Sequence, residues 1–81
     1  VTRAQAAKIL AGALGLQLDS TYKTSYQDVA SSHWAFKEIR ALTELDVFSN
    51  ASKFNPDAPL SRAQMAKVLV VAYQIKLDDN H

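Results

Sequence analysis

The chain repeats its own beginning near its end. Residues 1–19 align with residues 60–78, and nine of the nineteen aligned positions are identical. Self-similarity at this spacing is typical of repeat proteins, in which each unit buries its apolar surface against its neighbours. We therefore expect the second half of one repeat over residues 1–16 and a linker over 17–25. One nearly whole repeat over 26–77 and a tail over 78–81 follow.

Both copies begin with a helix start signal. Thr2 and Ser61 can each accept a hydrogen bond from the backbone N–H three residues further on. Gln5 and Gln64 can reach back to the N–H of the capping residue, which completes a capping box. Apolar residues then recur at helical spacing in both copies. The sequence therefore predicts one helix at each end of the chain.

A further helix is predicted between the two copies. Ser31 or Ser32 can cap it, and Ala35, Ile39 and Leu42 recur with a period near 3.6 residues. The flanking segments are polar and read as loops. With only 2 Gly and 2 Pro, the composition favours helices over a turn-rich β fold. We expect an all-α fold of three helices joined by long loops, over residues 2–14, 32–46 and 61–75.

Composition and charge exclude several classes of function. The 81 residues suffice for one small domain, and the net charge of +1 provides no basic surface for nucleic acid. Without Cys, disulfides and thiolate metal sites are impossible. The histidines do not stand at metal-ligand spacing, so we predict no metal and no cofactor. The sequence contains no apolar run of membrane-spanning length, and no nucleophile–base pair, paired-carboxylate site or phosphate loop, so we predict no membrane span and no enzyme.

Several short motifs occur in the order and spacing of a known family. They are Tyr26-Gln27-Asp28-Val29, His33-Trp34-Ala35, Phe54-Asn55-Pro56 and Leu60-Ser61-Arg62-Ala63-Gln64. Together they resemble the S-layer homology repeat. In that family an aromatic-x-Asp-Val opening precedes His-Trp-Ala on a helix, a Gly-rich loop, Phe-x-Pro and a Thr-Arg-Ala-Glu cap on a second helix. Residues 1–16 resemble the end of a preceding repeat.

The resemblance implies a non-catalytic, extracellular module that holds a larger protein on the cell wall or S-layer of a bacterium, typically a Gram-positive one. Such modules usually occur as tandem repeats and bind secondary cell wall polysaccharide, an anionic polymer that often bears pyruvylated amino sugars. The motif arginine, here Arg3 and Arg62, is expected to meet the ligand. A guanidinium suits a carboxylate, and the first turn of a helix favours anions. Neighbouring repeats or a second copy are the expected protein partners.

This chain also departs from the family pattern. Gln5 and Gln64 replace the motif's acidic residue, and Asp46 stands at a loop glycine position. The loop from Asn50 to Phe54 is short and lacks glycine, although Asn50 tolerates left-handed backbone angles. These departures favour an alternative function, in which a degenerate repeat serves structure or protein–protein assembly.

Each candidate residue has a structural interpretation beside the functional one. Arg3 and Arg62 are either ligand contacts or solvated residues paired with a carboxylate. Trp34 can stack on a sugar, but a lone Trp in such a motif is more often a core anchor. Asp57 can orient Arg62 or favour a turn. The tyrosines can line a sugar groove or pack between repeats. The predicted polysaccharide-binding residues are Arg62, Arg3, Ser61, Gln64, Asp57, Trp34 and Asn50.

A lone repeat leaves one apolar helix face without a neighbour. Repeat proteins bury such faces against the next unit along the chain. We therefore expect the isolated fragment to self-associate.

Overall fold

The structure, a computed structural model, describes residues 1–78. It contains three helices and, within that range, no strand beyond an isolated bridge between Thr2 and Pro59. The all-α prediction is confirmed. None of the described helices is long and apolar enough to cross a bilayer. Residues 79–81 of the predicted tail lie outside the described range. The helices are α1 (Arg3–Leu14), α2 (Phe36–Glu44) and α3 (Arg62–Asp78).

Both predicted capping boxes are formed. At α1, Thr2 Oγ1 accepts from the N–H of Gln5 at 3.1 Å, and Gln5 Oε1 accepts from the N–H of Thr2 at 2.9 Å. At α3, the corresponding distances between Ser61 and Gln64 are 3.1 and 3.0 Å. Each box satisfies two backbone donors that have no partner within the helix. The starts of α1 and α3 therefore agree with the sequence to within one residue.

The helices end according to their local chemistry. At α1, Gly15 has a φ of 64°, and the N–H groups of Gly15 and Leu16 donate to carbonyls of the last turn. Asp46 ends α2 in the same way, with a φ of 62° at the position where the family has glycine. Both are Schellman motifs. No Gly or Pro interrupts α3, which runs three residues beyond the predicted end, to Asp78 rather than residue 75.

The predicted start of α2 is wrong. The helix begins at Phe36 rather than at residue 32, and its N-cap, Ala35, makes no side-chain cap bond. Instead, the segment from Ser31 forms turns in which His33 Nδ1 accepts the N–H of Ala35 at 3.0 Å and the His33 carbonyl accepts the N–H of Phe36 at 3.0 Å. The His33 imidazole thus accepts the Ala35 N–H, which a cap at Ser32 would have accepted.

The core lies between α1, α2 and the loop that follows α2. Ala4 and Ala7 are fully buried on α1, and these small side chains allow its backbone to approach α2 closely. Ile39 and Leu42 fill the centre from α2, and Phe54 fills it from the loop. The third helix adds mainly Val68 and Ala72 and leaves most of its surface exposed.

Candidate functional site

Arg3 lies at a cavity of about 260 Å³ between the start of α1, the loop after α2 and α3. Its Nε donates to the Phe54 carbonyl at 2.7 Å. Its guanidinium carbon lies 4.7 Å from the centroid of the Phe54 ring and 5.5 Å from that of Phe48. Stacking on aromatic rings orients a guanidinium and removes part of its hydration. Because Nε is committed to Phe54, the two terminal amino groups are the ones left to bind a ligand.

Positive charge dominates this cavity, which we call the Arg3 cavity. Among the described residues, three cations line it, Arg3, Lys53 and Lys67, and no carboxylate does. The one ion pair among residues 1–78, between Lys8 and Glu38 at 3.1 Å, lies elsewhere. A cavity lined by charge of one sign concentrates its field and favours a ligand of the opposite sign. The complete lining is Arg3, Val47, Phe48, Ser49, Ala51, Lys53, Gln64, Lys67 and Val68.

Asp28 holds one end of the loop that forms the cavity wall. Its Oδ1 and Oδ2 accept the N–H groups of Phe54 and Asn55 at 2.9 and 2.8 Å. Asn55 itself has a left-handed φ of 59°, which Asn tolerates better than most residues. Burial by itself would raise the pKa of Asp28, but the N–H groups of Phe54, Asn55 and Asp28 itself, together with the charge of Lys53, hold that pKa below its ordinary value. Asp28 thus stays ionised while it fixes the residue that binds Arg3 Nε.

Tyr26 holds the other end of the same loop. Its hydroxyl donates to the Ser49 carbonyl at 2.8 Å and lies 3.0 Å from Thr43 Oγ1. Its ring packs against Phe54 with centroids 5.1 Å apart. Burial raises the pKa of Tyr26, which keeps the phenol protonated as a donor. The Tyr26-x-Asp28 motif therefore secures both ends of the cavity wall.

Arg3 and Gln64 are the predicted site residues that the structure brings to the Arg3 cavity. Gln64 also closes the α3 capping box with Ser61. Arg62 is exposed and lies outside the cavity lining. Asp57 is exposed as well and forms no ion pair with Arg62 within the described range. The two arginines thus have the same place in the repeat but different surroundings.

Trp34 and Asn50 have surroundings that differ from expectation. The preferred core position of Trp34 is wrong, since the side chain is 55% exposed and stacks on His33 with centroids 5.3 Å apart. Asn50 does not adopt left-handed angles, which occur instead at Asp46 and Asn55. Its Oδ1 accepts the N–H of Ser25 at 2.7 Å, so it ties the linker of residues 17–25, which we call the connector, to the loop after α2.

Sequence reasoning missed Lys53 and Lys67 at the cavity. Lys67 is among the nine identical positions of the repeat, where it aligns with Lys8, and that identity is the one signal the sequence offered. The aromatic platform of Phe48 was missed for a different reason. Its ring meets that of Phe54 at 84° with centroids 4.9 Å apart, an arrangement that depends on the folded path of the loop.

Comparison with known proteins adds to this geometry. The family model of the S-layer homology domain matches residues 25–66. The chain is 40% identical over 77 residues to an uncharacterized cell wall amidase of Bacillus anthracis. That match covers 93% of this chain and 14% of the amidase. The chain is 32% identical over 78 residues to the surface-layer 125 kDa protein of Lysinibacillus sphaericus, covering 94% of the chain and 6% of that protein. It is 38% identical over 73 residues to the cellulosome-anchoring protein of Acetivibrio thermocellus, and that match covers 84% of this chain and 16% of that protein. The chain spans a small part of each relative.

Proposed function

The chain belongs to the S-layer homology domain family of the bacterial cell surface, and we propose that it is a non-catalytic anchoring module that binds anionic secondary cell wall polysaccharide in the Arg3 cavity. The observation that carries this proposal is the convergence of Arg3, Lys53 and Lys67 on a cavity that no carboxylate of the described residues lines. The names of two relatives, a surface-layer protein and a cellulosome-anchoring protein, support the anchoring role. The enzymatic name of the amidase concerns a protein of which this chain spans 14%.

The geometry of Arg3 suits a carboxylate, such as that of a pyruvylated sugar. The Phe54 carbonyl and two aromatic rings restrain the guanidinium before any ligand arrives. A restrained guanidinium loses less conformational entropy on binding, and its two terminal amino groups can donate in parallel to two carboxylate oxygens. Lys53 and Lys67 add less directional attraction, and Gln64 adds an amide at the same wall.

Retention on purified cell wall sacculi, before and after removal of the wall polysaccharide, tests this proposal. We expect retention that depends on the polysaccharide. Arg3→Gln removes charge-assisted hydrogen bonds, each of which contributes about 1.5–3 kcal/mol, so affinity should fall roughly tenfold or more. Lys67→Gln should give a smaller loss. The matched control is Lys37→Gln, an exposed lysine of α2 outside the cavity, and circular dichroism checks the helicity of each variant.

Two outcomes would count against the proposal. Retention that survives removal of the polysaccharide would support the alternative role, a repeat that serves assembly. Unchanged retention of Arg3→Gln would exclude the Arg3 cavity as the site. The observation that favours the alternative is the uncovered surface of α3, on which Leu69, Val70 and Tyr73 are exposed.

We also propose that a following repeat covers that surface of α3. Ala4, Ala7 and Leu10 are buried on α1 against the unit formed by residues 26–54. Their aligned counterparts on α3 are the same residue types but are exposed, namely Ala63, Ala66 and Leu69. The same side chains at the same helical spacing fit the same kind of surface, so α3 suits a unit like 26–54 from the next repeat.

The same reasoning proposes a role for Arg62. Arg3 depends on the loop that contains Phe48 and Phe54 for its hydrogen bond and its stacking. The described chain places no such loop beside Arg62. We therefore assign Arg62 to a second cavity that a following repeat completes, with Ser61 as part of the cap that positions it. Trp34, Asp57 and Asn50 have no comparable contact with either arginine, and their roles at the ligand remain predictions.

A further inference from the structure

A polar cavity that shares no lining residue with the Arg3 cavity lies between the connector before Tyr26 and α2. Its volume is about 510 Å³. The connector is tied to α2 there, because the Ser20 hydroxyl donates to Glu44 and also accepts the N–H of Tyr22. Most of the connector lies outside the stretch that matches the family model, which begins at residue 25. We call it the connector cavity, and its lining includes Ser20, Thr21, Tyr22, Lys23, Phe36 and Arg40.

Arg40 is the side chain that distinguishes this cavity. Its Nε is buried and has no hydrogen-bond partner within residues 1–78. One terminal amino group makes a long bond of 3.4 Å to the Leu18 carbonyl, and the guanidinium carbon lies 5.2 Å from the centroid of the Phe36 ring. Within the described part of the chain, no carboxylate lines the cavity, and Glu44, one turn further along α2, forms no ion pair with Arg40. A guanidinium with so few hydrogen bonds is costly to hold in a partly buried place, and a ligand acceptor at its terminal amino groups would offset part of that cost.

The other lining groups indicate what kind of partner fits. Lys23 supplies a second, exposed cation, so the cavity favours an anion. Tyr22 is partly exposed and Phe36 half-buried, which gives the cavity aromatic surface next to the charges. Thr21 and Thr24 add side-chain hydroxyls that can exchange hydrogen bonds with a polyhydroxyl ligand. Small-molecule sites typically combine apolar and aromatic walls with a few converging polar groups.

We propose that the connector cavity is a second binding site, for a saccharide that carries a carboxylate. The carboxylate accepts hydrogen bonds from the terminal amino groups of Arg40, with Lys23 as a second cation. The sugar ring lies against Tyr22 and the threonine hydroxyls. This site shares no cation with the Arg3 cavity, so the proposal stands or falls separately from the polysaccharide site proposed above.

The test is a titration of the 81-residue chain with D-glucuronate, followed by ¹⁵N-resolved NMR that includes the arginine Nε–Hε resonances. D-glucose serves as the uncharged comparison. We expect glucuronate to shift the Arg40 Nε–Hε resonance and the amides of residues 20–24, and glucose to shift them much less. A response confined to residues around Arg3 would overturn the connector site while it supports the other cavity. Equal responses to the two sugars would overturn the assignment of a carboxylate ligand.

Variants separate the contributions of the two cations. Arg40→Gln should weaken glucuronate binding about tenfold or more, because it removes hydrogen bonds to a charged group. Lys23→Gln changes an exposed residue that the fold does not need, and should weaken binding about two- to fivefold. It keeps the test valid if Arg40→Gln fails to fold. Arg3→Gln and Lys37→Gln should leave the connector response unchanged. If Arg40→Gln and Lys23→Gln both bind glucuronate as tightly as the parent chain does, the connector site is refuted.

Discussion

Asp28 connects a sequence motif to the ligand-binding geometry without contacting the proposed ligand. Its carboxylate accepts the N–H groups of Phe54 and Asn55, and the Phe54 carbonyl in turn binds Arg3 Nε. The position of the guanidinium therefore depends on a negative charge on the far side of the loop. A carboxylate suits this task because both of its oxygens accept, whereas an amide offers one acceptor and one donor.

This arrangement makes stability depend on pH through Asp28. Because the pKa of Asp28 is lower in the folded chain than in the unfolded chain, its contribution is complete above the unfolded value and is lost as the pH falls through the folded value. We expect Asp28→Asn to lower the free energy of unfolding by about 1 kcal/mol at neutral pH, since one hydrogen bond is lost. The variant should also lose less stability than the parent between neutral and strongly acidic pH.

Urea denaturation at neutral and acidic pH measures both effects. Asp19→Asn is the matched control, because Asp19 is exposed and lies outside the loop and the lining of the Arg3 cavity. Arg3-dependent retention on sacculi should weaken in Asp28→Asn and not in the control. An identical loss of stability with acid in the parent and in Asp28→Asn would show that Asp28 does not carry this dependence.

At the level of helices, local chemistry decides how well the sequence predicts the fold. The starts of α1 and α3 could be predicted because a hydroxyl and an amide three residues apart form a self-contained cap. The start of α2 could not, because His33 Nδ1 competes for the N–H of Ala35 and opens the segment into turns. Trp34 was misassigned for the same reason: it lies in those turns and outside the buried face of a helix.

In the candidate site, too, some features could be predicted from local sequence and others could not. The place of Arg3 follows from a motif, whereas the meeting of Lys53 and Lys67 at one cavity depends on packing between segments that are distant in sequence. The residues next to Lys53 in the sequence do not indicate that Lys67 of α3 lines the same cavity. The stacking of Arg3 on Phe48 is likewise a product of the loop's path, which Tyr26 and Asp28 control.

The two glycines of α1 differ in a way that tests its C-terminal boundary. Gly12 lies inside the helix with open space around its Cα, whereas Gly15 has a left-handed φ of 64°. Gly12→Ala should stabilise the chain by about 0.5–1 kcal/mol, because alanine loses less backbone entropy in a helix. Gly15→Ala should destabilise it by about 1 kcal/mol, because a Cβ disfavours left-handed angles.

Each glycine variant is the control for the other, since both make the same chemical change on the same helix. Thermal unfolding followed by circular dichroism should show melting temperatures that move in opposite directions. Two shifts of the same sign would mean that the left-handed backbone of Gly15 does not terminate α1.

Across the whole molecule, α1 and α3 are uncovered on opposite faces. Leu10 of α1 is 8% exposed, whereas its counterpart Leu69 on α3 is 50% exposed. The reverse holds for Ile9, which is 62% exposed, and its counterpart Val68, which is 4% exposed. One face of each helix thus contributes to the core, and the other is exposed among the described residues. This is the pattern expected when a preceding unit belongs against α1 and a following unit against α3.

A tandem chain tests whether a following unit covers α3. Because Asp19 and Asp78 align, residues 20–78 can be appended after Asp78 so that α3 has the same connector that follows α1. We expect the amides of the first α3 to exchange hydrogen more slowly in the tandem than in the single chain. Leu69→Lys should change the stability of the single chain by less than about 0.5 kcal/mol, as an exposed substitution does.

In the tandem, the same substitution at the first Leu69 should cost about 2 kcal/mol or more, because it would bury an unpaired ammonium. Gln74→Lys on the same helix is the control, since it aligns with exposed Gly15 rather than with a buried residue. The single chain should meanwhile self-associate through the uncovered face, and Leu69→Lys should weaken that association in sedimentation velocity. Equal costs of Leu69→Lys in the single and tandem chains would mean that a following repeat leaves α3 uncovered. The aligned arginines would then have no common structural basis for binding the wall, because only Arg3 would meet a loop.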